Sequence, residues 1–319
     1  MNDVWYINFM EVLYKKYPKK NQLTEALMDL LYLEREAVYR RLRKDVVFPA
    51  GEIVKIATSW NISLDEIINL DSKQASFKLQ LWNCNDPLEQ DLDKMQMIVQ
   101  KVKSVKEYPD VEYMEISNKL PRMLTAKFSC ITRLYMLKWL YQYTNEKVIA
   151  LSKLAQHRDV EKYTGELYAA IRDLPKVTFI WDNMIFSNLV GDVRYFHSIN
   201  MISDEEKEEI KEELHSLLEY VFSIATKGCW PETGNKVTIY VSYINIDTNY
   251  YYYYWSGEAK LYCVNIFGRN ELYTEDSEIA KKFKIWMQSN KKSSTQISES
   301  DEKSRIDFFA KQRQLIDEL

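Results

Sequence analysis

The 319-residue sequence predicts a mainly α fold with an α+β carboxy-terminal part. Three observations carry that prediction. Gly and Pro number only 7 each, so tight turns are scarce and regular elements should be well ordered. Apolar residues in the first seventy positions recur at helical intervals in five short runs. Period two takes over between Lys236 and Arg269, so the larger helical domain that follows should contain an antiparallel β-meander. A chain of this length expects two domains, each able to bury a core.

Taken in order, Trp5–Lys16 forms the first helix, with Trp5, Phe9, Val12 and Leu13 on one stripe. Thr24–Leu31 forms the second through Ala26, Leu27, Leu30 and Leu31, and turns at Tyr32–Leu33. Glu34–Lys44 is the third and the most informative. Helical spacing puts Val38 and Leu42 on one face and Arg35, Tyr39 and Arg43 on another, with Glu36 and Arg40 beside them. One face packs and the other is a basic fork. Arginine is suited to paired hydrogen bonds with guanine edges and phosphate oxygens, and a helix fits the major groove of a duplex. Ile53, Ile56, Ala57 and Trp60 mark a fourth helix after Val46–Pro49. Ser63-Leu64-Asp65-Glu66 reads as a capping box opening a fifth, buried through Leu64, Ile67 and Ile68.

These runs resemble the Cro and phage-repressor (XRE-like) class of helix-turn-helix bacterial transcriptional regulator, over about residues 3–70 only. The resemblance rests on Leu27–Leu33 for the supporting helix and turn, Glu34–Arg43 for the recognition helix and Ile53–Asp65 for the closing helices. It implies a five-helix helix-turn-helix DNA-binding domain over residues 1–72. Arg35, Glu36, Tyr39 and Arg40 would read base edges, Arg43 and Lys44 would meet phosphates, and Thr24 of the supporting helix would join them. It also implies a homodimer on paired half-sites of double-stranded DNA. Tyr32 stands where the family's turn has Gly, and positive φ is costly for a non-Gly residue, so the turn should be built differently. Glu34 replaces the family's Ser or Thr cap; it suits the helix dipole but repels phosphate. Glu36 either accepts from cytosine or pairs with Arg40 four residues on, and the pair is preferred.

The competing reading of this segment is a protein-binding bundle with a solvated Arg cluster. Between Lys15 and Lys44 basic residues outnumber acidic ones nine to four, in a chain of net charge −4. Local positive charge in an acidic protein marks a dedicated surface, which favours DNA.

Residues 73–110 read as a strand and a connector helix. Phe77, Leu79 and Leu81 alternate with polar residues, a turn follows at Asn83–Pro87, and Leu88, Leu92, Met95, Val99 and Val102 form a two-heptad seam for a partner helix or for the domain itself. Residues 111–319 read as an α+β effector and dimerisation domain. Leu120 to about Gln156 is a long helix with large side chains on nearly every side, and Glu161–Arg172 is another, facing inward through Tyr163, Leu167, Ala170 and Ile171. Asp204–Lys227 is capped by Ser203 and stopped by Gly228. Val237–Tyr243, Tyr250–Trp255 and Leu261–Phe267 make the three-stranded meander, whose aromatic faces either present one side to a flat ligand or, as preferred, are covered by helices on one side and by a partner chain or the first strand on the other. Glu278–Ser289 is a helix bearing Ile279, Phe283 and Trp286, Lys291–Glu299 a polar loop, and Glu302–Leu319 a last helix with Ile306, Phe309, Ala310 and Ile316 on its stripe.

Enzymatic motifs are missing from the sequence: it has no glycine-rich phosphate loop, nucleophile elbow or His-x-x-x-His. Asp182 and Asp192 read as structural carboxylates near Arg194. Cys84, Cys130, Cys229 and Cys263 lie far apart, and His157, His197 and His215 have no metal spacing, so neither a metal nor another cofactor is expected. With no signal-like amino terminus and no membrane-spanning run, a cytoplasmic protein with reduced thiols is expected. The expected function is transcriptional regulation by sequence-specific DNA binding, with the carboxy-terminal domain dimerising and receiving an unidentified small-molecule signal. The alternative is a protein-interaction or small-molecule-binding module that uses the amino-terminal bundle as an adaptor.

Overall fold

The computed structural model describes residues 4–319 apart from 61, 69–76, 81–86, 109, 144–149, 155–157, 248, 256–257, 267–269 and 275. The chain divides into two compact units, Met1–Ser76 and Phe77–Leu319.

The first unit is five helices: α1 (Val4–Lys16), α2 (Lys20–Leu31), α3 (Arg35–Leu42), α4 (Ala50–Trp60) and α5 (Leu64–Ile68). Phe9, Leu13, Leu23, Leu27, Val38, Phe48 and Ile56 close its core. The inward stripe of α1 is Tyr6, Phe9, Met10 and Leu13, while Trp5 and Val12 are half-buried at its flanks. Tyr6 turns inward because its hydroxyl finds a partner there, accepting the Phe48 N–H at 3.2 Å.

The second unit begins with β1 (Lys78–Gln80), α6 (Pro87–Val105), β2 (Glu112–Ser117), α7 (Arg122–Thr125), α8 (Ser129–Tyr143) and α9 (Arg158–Arg172). It continues through β3 (Lys176–Asp182), α10 (Ser187–Ser198), α11 (Asp204–Lys227), β4 (Lys236–Ser242), β5 (Asn249–Trp255), β6 (Glu258–Ile266) and β7 (Asn270–Thr274). It ends with α12 (Ser277–Ser289), β8 (Ser294–Gln296) and α13 (Glu302–Asp317). The strands form one mixed sheet in the order β1-β7-β6-β5-β2-β3-β4-β8, with β2, β3 and β4 parallel and every other pair antiparallel. Tyr113, Phe179, Trp181, Val237, Ile239 and Val241 bury one face with residues of α8, α11 and α13. Met114, Ile116, Ile180 and Tyr252 bury the other against Ala280 and Met287 of α12. β2 and β3 are buried on both faces, as strands between two helical layers must be.

Several expectations are corrected. The meander is β5-β6-β7; β4 leaves it and runs parallel to β3, because the chain after β4 crosses the carboxyl ends of β3 and β2 before it turns down as β5. The crossing is pinned by Ile246 N–H donating to Asp182 at 3.1 Å and by Asn118 Nδ2 donating to the Ile246 carbonyl at 2.7 Å. β1 pairs with β7 and α6 packs on α9, so the strand and helix assigned to a connector belong to the second unit. Val99 and Val102 are buried there, and Lys103–Glu166 ties the two helices at 3.4 Å, so this part of the seam meets its own domain. The Asn83–Pro87 turn falls almost wholly outside the described residues. The long helix from Leu120 is broken: α7 stops after Thr125 and α8 starts at Ser129. α8 matches its expected all-round burial from Cys130 to Leu140, where no side chain is fully exposed, but Tyr141, expected in the same set, is exposed. α12, not a partner chain or the first strand, covers the second face of the aromatic strands. The polar loop after α12 contains β8, and Ile297 and Ser298 beyond it are buried. α13 turns Phe308, Phe309, Gln312 and Ile316 inward and leaves Ile306 and Ala310 exposed.

α11 follows the sequence closely. Ser203 and Glu206 form a reciprocal capping box, and Gly228 ends the helix at positive φ with its N–H on the Ile224 carbonyl. A Cβ at Gly228 would strike the Glu299 side chain, so glycine is required there twice over.

Candidate nucleic-acid interface

α2 and α3 are joined by a three-residue turn that Tyr32 makes in the left-handed region, at φ 56° and ψ 44°. The expectation that the absence of Gly would force another construction is corrected. Tyr32 N–H and Leu33 N–H both bond the Met28 carbonyl, and the Leu33 and Met28 side chains pack on the core, so the motif holds despite a conformational cost of about 1 kcal/mol. The Tyr32 ring lies outside, 86% exposed, with the Lys55 ammonium 4.6 Å from its centroid.

α3 is eight residues, about 12 Å, long. Glu34 precedes it in extended conformation and makes no side-chain cap, so the first backbone N–H groups of α3 are left to outside partners. Its other end is closed by Lys44 at φ 65°: Lys44 N–H bonds the Arg41 carbonyl at 3.0 Å and Asp45 N–H bonds the Arg40 carbonyl at 2.9 Å. This pair of bonds satisfies the terminal carbonyls and leaves Lys44 projecting beside the last turn.

Val38 and Leu42 are buried, while Arg35, Glu36, Arg40 and Arg43 are exposed on the opposite side with half-buried Tyr39 among them. The predicted division into a packing face and a basic face is therefore present. The ion pairs differ from expectation. Glu36 pairs with Arg43 at 2.9 Å and not with Arg40, since seven residues make nearly two full turns and the long guanidinium arm reaches back along the same face. Arg43 also meets Asp45 at 3.2 Å, and Arg35 lies 3.9 Å from Glu25. Arg40 and Lys44 have no ion pair among the described residues. Exposed pairs of this kind contribute only about 0–1 kcal/mol, so Arg35 and Arg43 remain available to a stronger anionic partner.

Thr24 is corrected. It is 1% exposed, and its hydroxyl donates at 2.8 Å to the Lys20 carbonyl inside α2, so it is not a surface contact. The helix starts four residues earlier than expected, which brings in Lys20, whose ammonium stands 5.8 Å from the Tyr39 ring centroid. The Lys19-Lys20 pair is the signal in the sequence that carries the basic surface to this end of α2. Arg41 has a different role from its neighbours: its guanidinium grips Glu52 through two bonds of 2.6 and 2.7 Å, clamping α3 to α4.

Among the described residues no group of three or more His, Cys, Asp or Glu could hold a metal ion, and no helix is long and apolar enough to cross a membrane. No family model matches the chain, and no curated protein or solved structure matches it significantly.

Proposed function

We propose that the chain is a sequence-specific DNA-binding transcriptional regulator whose first unit sets α3 into the major groove. One observation carries the reading: the exposed face of α3 holds Arg35, Glu36, Tyr39, Arg40 and Arg43 together, opposite a face closed by Val38 and Leu42. In this reading Arg40, without an ion partner among the described residues, is the leading base-reading side chain, with Arg35, Glu36 and Tyr39 beside it. Lys44 and Arg43 neutralise phosphates at the end of the helix, and Lys20 does so at the start of α2. Glu36 exchanges its bond with Arg43 for a cytosine amino group where the sequence offers one. The second unit dimerises, since an eight-residue helix reads too few base pairs for useful specificity alone. No catalytic step is assigned to either unit.

The test is selection of bound duplexes from a random pool by the purified full chain at two salt concentrations. The expected result is enrichment of a two-fold-symmetric site whose affinity falls with salt as several phosphates are contacted, about 0.9 logarithmic units per phosphate for each tenfold in salt. Recovery of an unenriched pool would refute the assignment.

A further inference from the structure

Open sheets with a parallel core tend to bind ligands outside the carboxyl ends of their strands. In the second unit a narrow cleft of about 20 Å³, open to solvent at its mouth, lies where β2 and β3 end. Lys119 follows β2, Tyr135 and Lys138 come from α8, and Asn188, Leu189 and Asp192 come from the first turns of α10. Asp192 grips Lys138 at 2.5 and 2.7 Å, so those two charges cancel.

What remains is a set of donors without acceptors. Lys119 has no ion pair and the Tyr135 hydroxyl no hydrogen bond among the described residues. The flanking N–H groups of Ser187 and Val190 are bonded to Met184 and Phe186 carbonyls, whereas those of Asn188 and Leu189 find no partner among the described residues. Burial pushes the Lys119 amine below its usual range, the Lys138 charge adds to this, Asp192 opposes it and Arg122 adds a little more. The cleft is thus a desolvated, net-positive pocket that gathers an ammonium, a hydroxyl and a helix amino terminus from three separate elements. A tetrahedral anion, with oxygens pointing in several directions, fits donors spread in this way better than a planar carboxylate does.

We propose that this cleft binds a phosphate group, held by Lys119, Tyr135 and the first-turn N–H groups of α10, with the rest of any larger ligand lying in the mouth. The site lies wholly within the second unit and stands or falls independently of DNA reading by the first.

Calorimetric titration of the full chain at constant ionic strength tests it, with inorganic phosphate, glycerol phosphate and acetate as separate probes. Saturable binding of inorganic phosphate alone identifies free phosphate as the ligand, and binding of both phosphate probes identifies a phosphomonoester; either supports the site. Lys119→Ala should weaken phosphate binding about tenfold or more, Tyr135→Phe by roughly two- to tenfold, and Lys119→Arg should keep most of it. Acetate binding as tightly as phosphate, no saturable binding of either phosphate probe, or full affinity in folded Lys119→Ala would each overturn the proposal.

Discussion

In the first unit the structural ion pair lies at the rim of the core, whereas in the second, charged groups stand inside the sheet. Arg41–Glu52 bridges two helices at 14% and 21% side-chain exposure, over a core otherwise built of apolar side chains. In the second unit Glu112 and Glu115 are buried on the central strand β2. Glu112 is met by Lys176 at 2.8 Å and Lys284 at 3.8 Å, while Glu115 accepts the Tyr113 hydroxyl at 2.6 Å. Buried Arg305 donates to the Ile297 and Ser300 carbonyls at 3.0 and 3.3 Å, fastening the segment after β8 to α13. A small helical unit can keep its charges at the surface, but a sheet covered on both sides leaves a central carboxylate only a neutral form or a buried partner.

This contrast is most strongly sharpened by apolar truncation in the second unit. Trp181 is fully buried on β3, the middle one of the three parallel strands, so Trp181→Ala should cost about 3–5 kcal/mol, read as lost hydrogen-exchange protection in β2, β3 and β4. Loss confined to β8 and α13 would show that the parallel strands are not the heart of the unit.

Next comes Glu115, whose carboxyl burial raises from the ordinary 4.5 to about 7, against smaller lowering effects of the Tyr113 hydroxyl and Arg122. The folded state therefore holds this proton more tightly than the unfolded state. Stability is favoured below the ordinary value and lost as pH climbs through about 7, by about 3 kcal/mol in total. Glu115→Gln should remove that dependence and stabilise the unit at alkaline pH, as denaturant titrations across the window would show. An unchanged pH profile would break the contrast between the units.

In the first unit the effects are smaller. Arg41→Ala should cost about 1–2 kcal/mol by leaving Glu52 without its clamp. Tyr32→Gly should raise stability by up to about 1 kcal/mol, because glycine enters the left-handed region freely, while Tyr32→Ala should give no gain. Denaturation midpoints of the two Tyr32 variants decide this.

Legibility followed the same division. The faces of α3 could be read from the sequence because Val38 and Leu42, or Arg35, Tyr39 and Arg43, are neighbours by helical period alone. Tyr32 misled because glycine preference is statistical, and two N–H bonds to Met28 with the packing of Leu33 hold a tyrosine in the same conformation. Thr24 misled because a hydroxyl at a helix start resembles a surface group, yet here it is turned inward. The parallel sheet was hidden for a different reason. β2 reads Glu-Tyr-Met-Glu-Ile-Ser, and its two glutamates disguise a strand buried on both faces. Its partners β3 and β5 begin more than sixty and more than a hundred residues later, and no local period encodes such a pairing. The cleft at the ends of β2 and β3 was invisible too, since Lys119, Tyr135 and Asn188 become neighbours only once those strands align.

The central claim, that α3 reads base sequence, is tested most directly by the affinity of Arg35→Ala/Arg40→Ala for the selected duplex, with helix content measured alongside. Specific binding should be lost, at about 1–3 kcal/mol for each arginine that pairs with a base, while the fold and the weak salt-sensitive background remain. Undiminished affinity of the folded double variant for that duplex would contradict it.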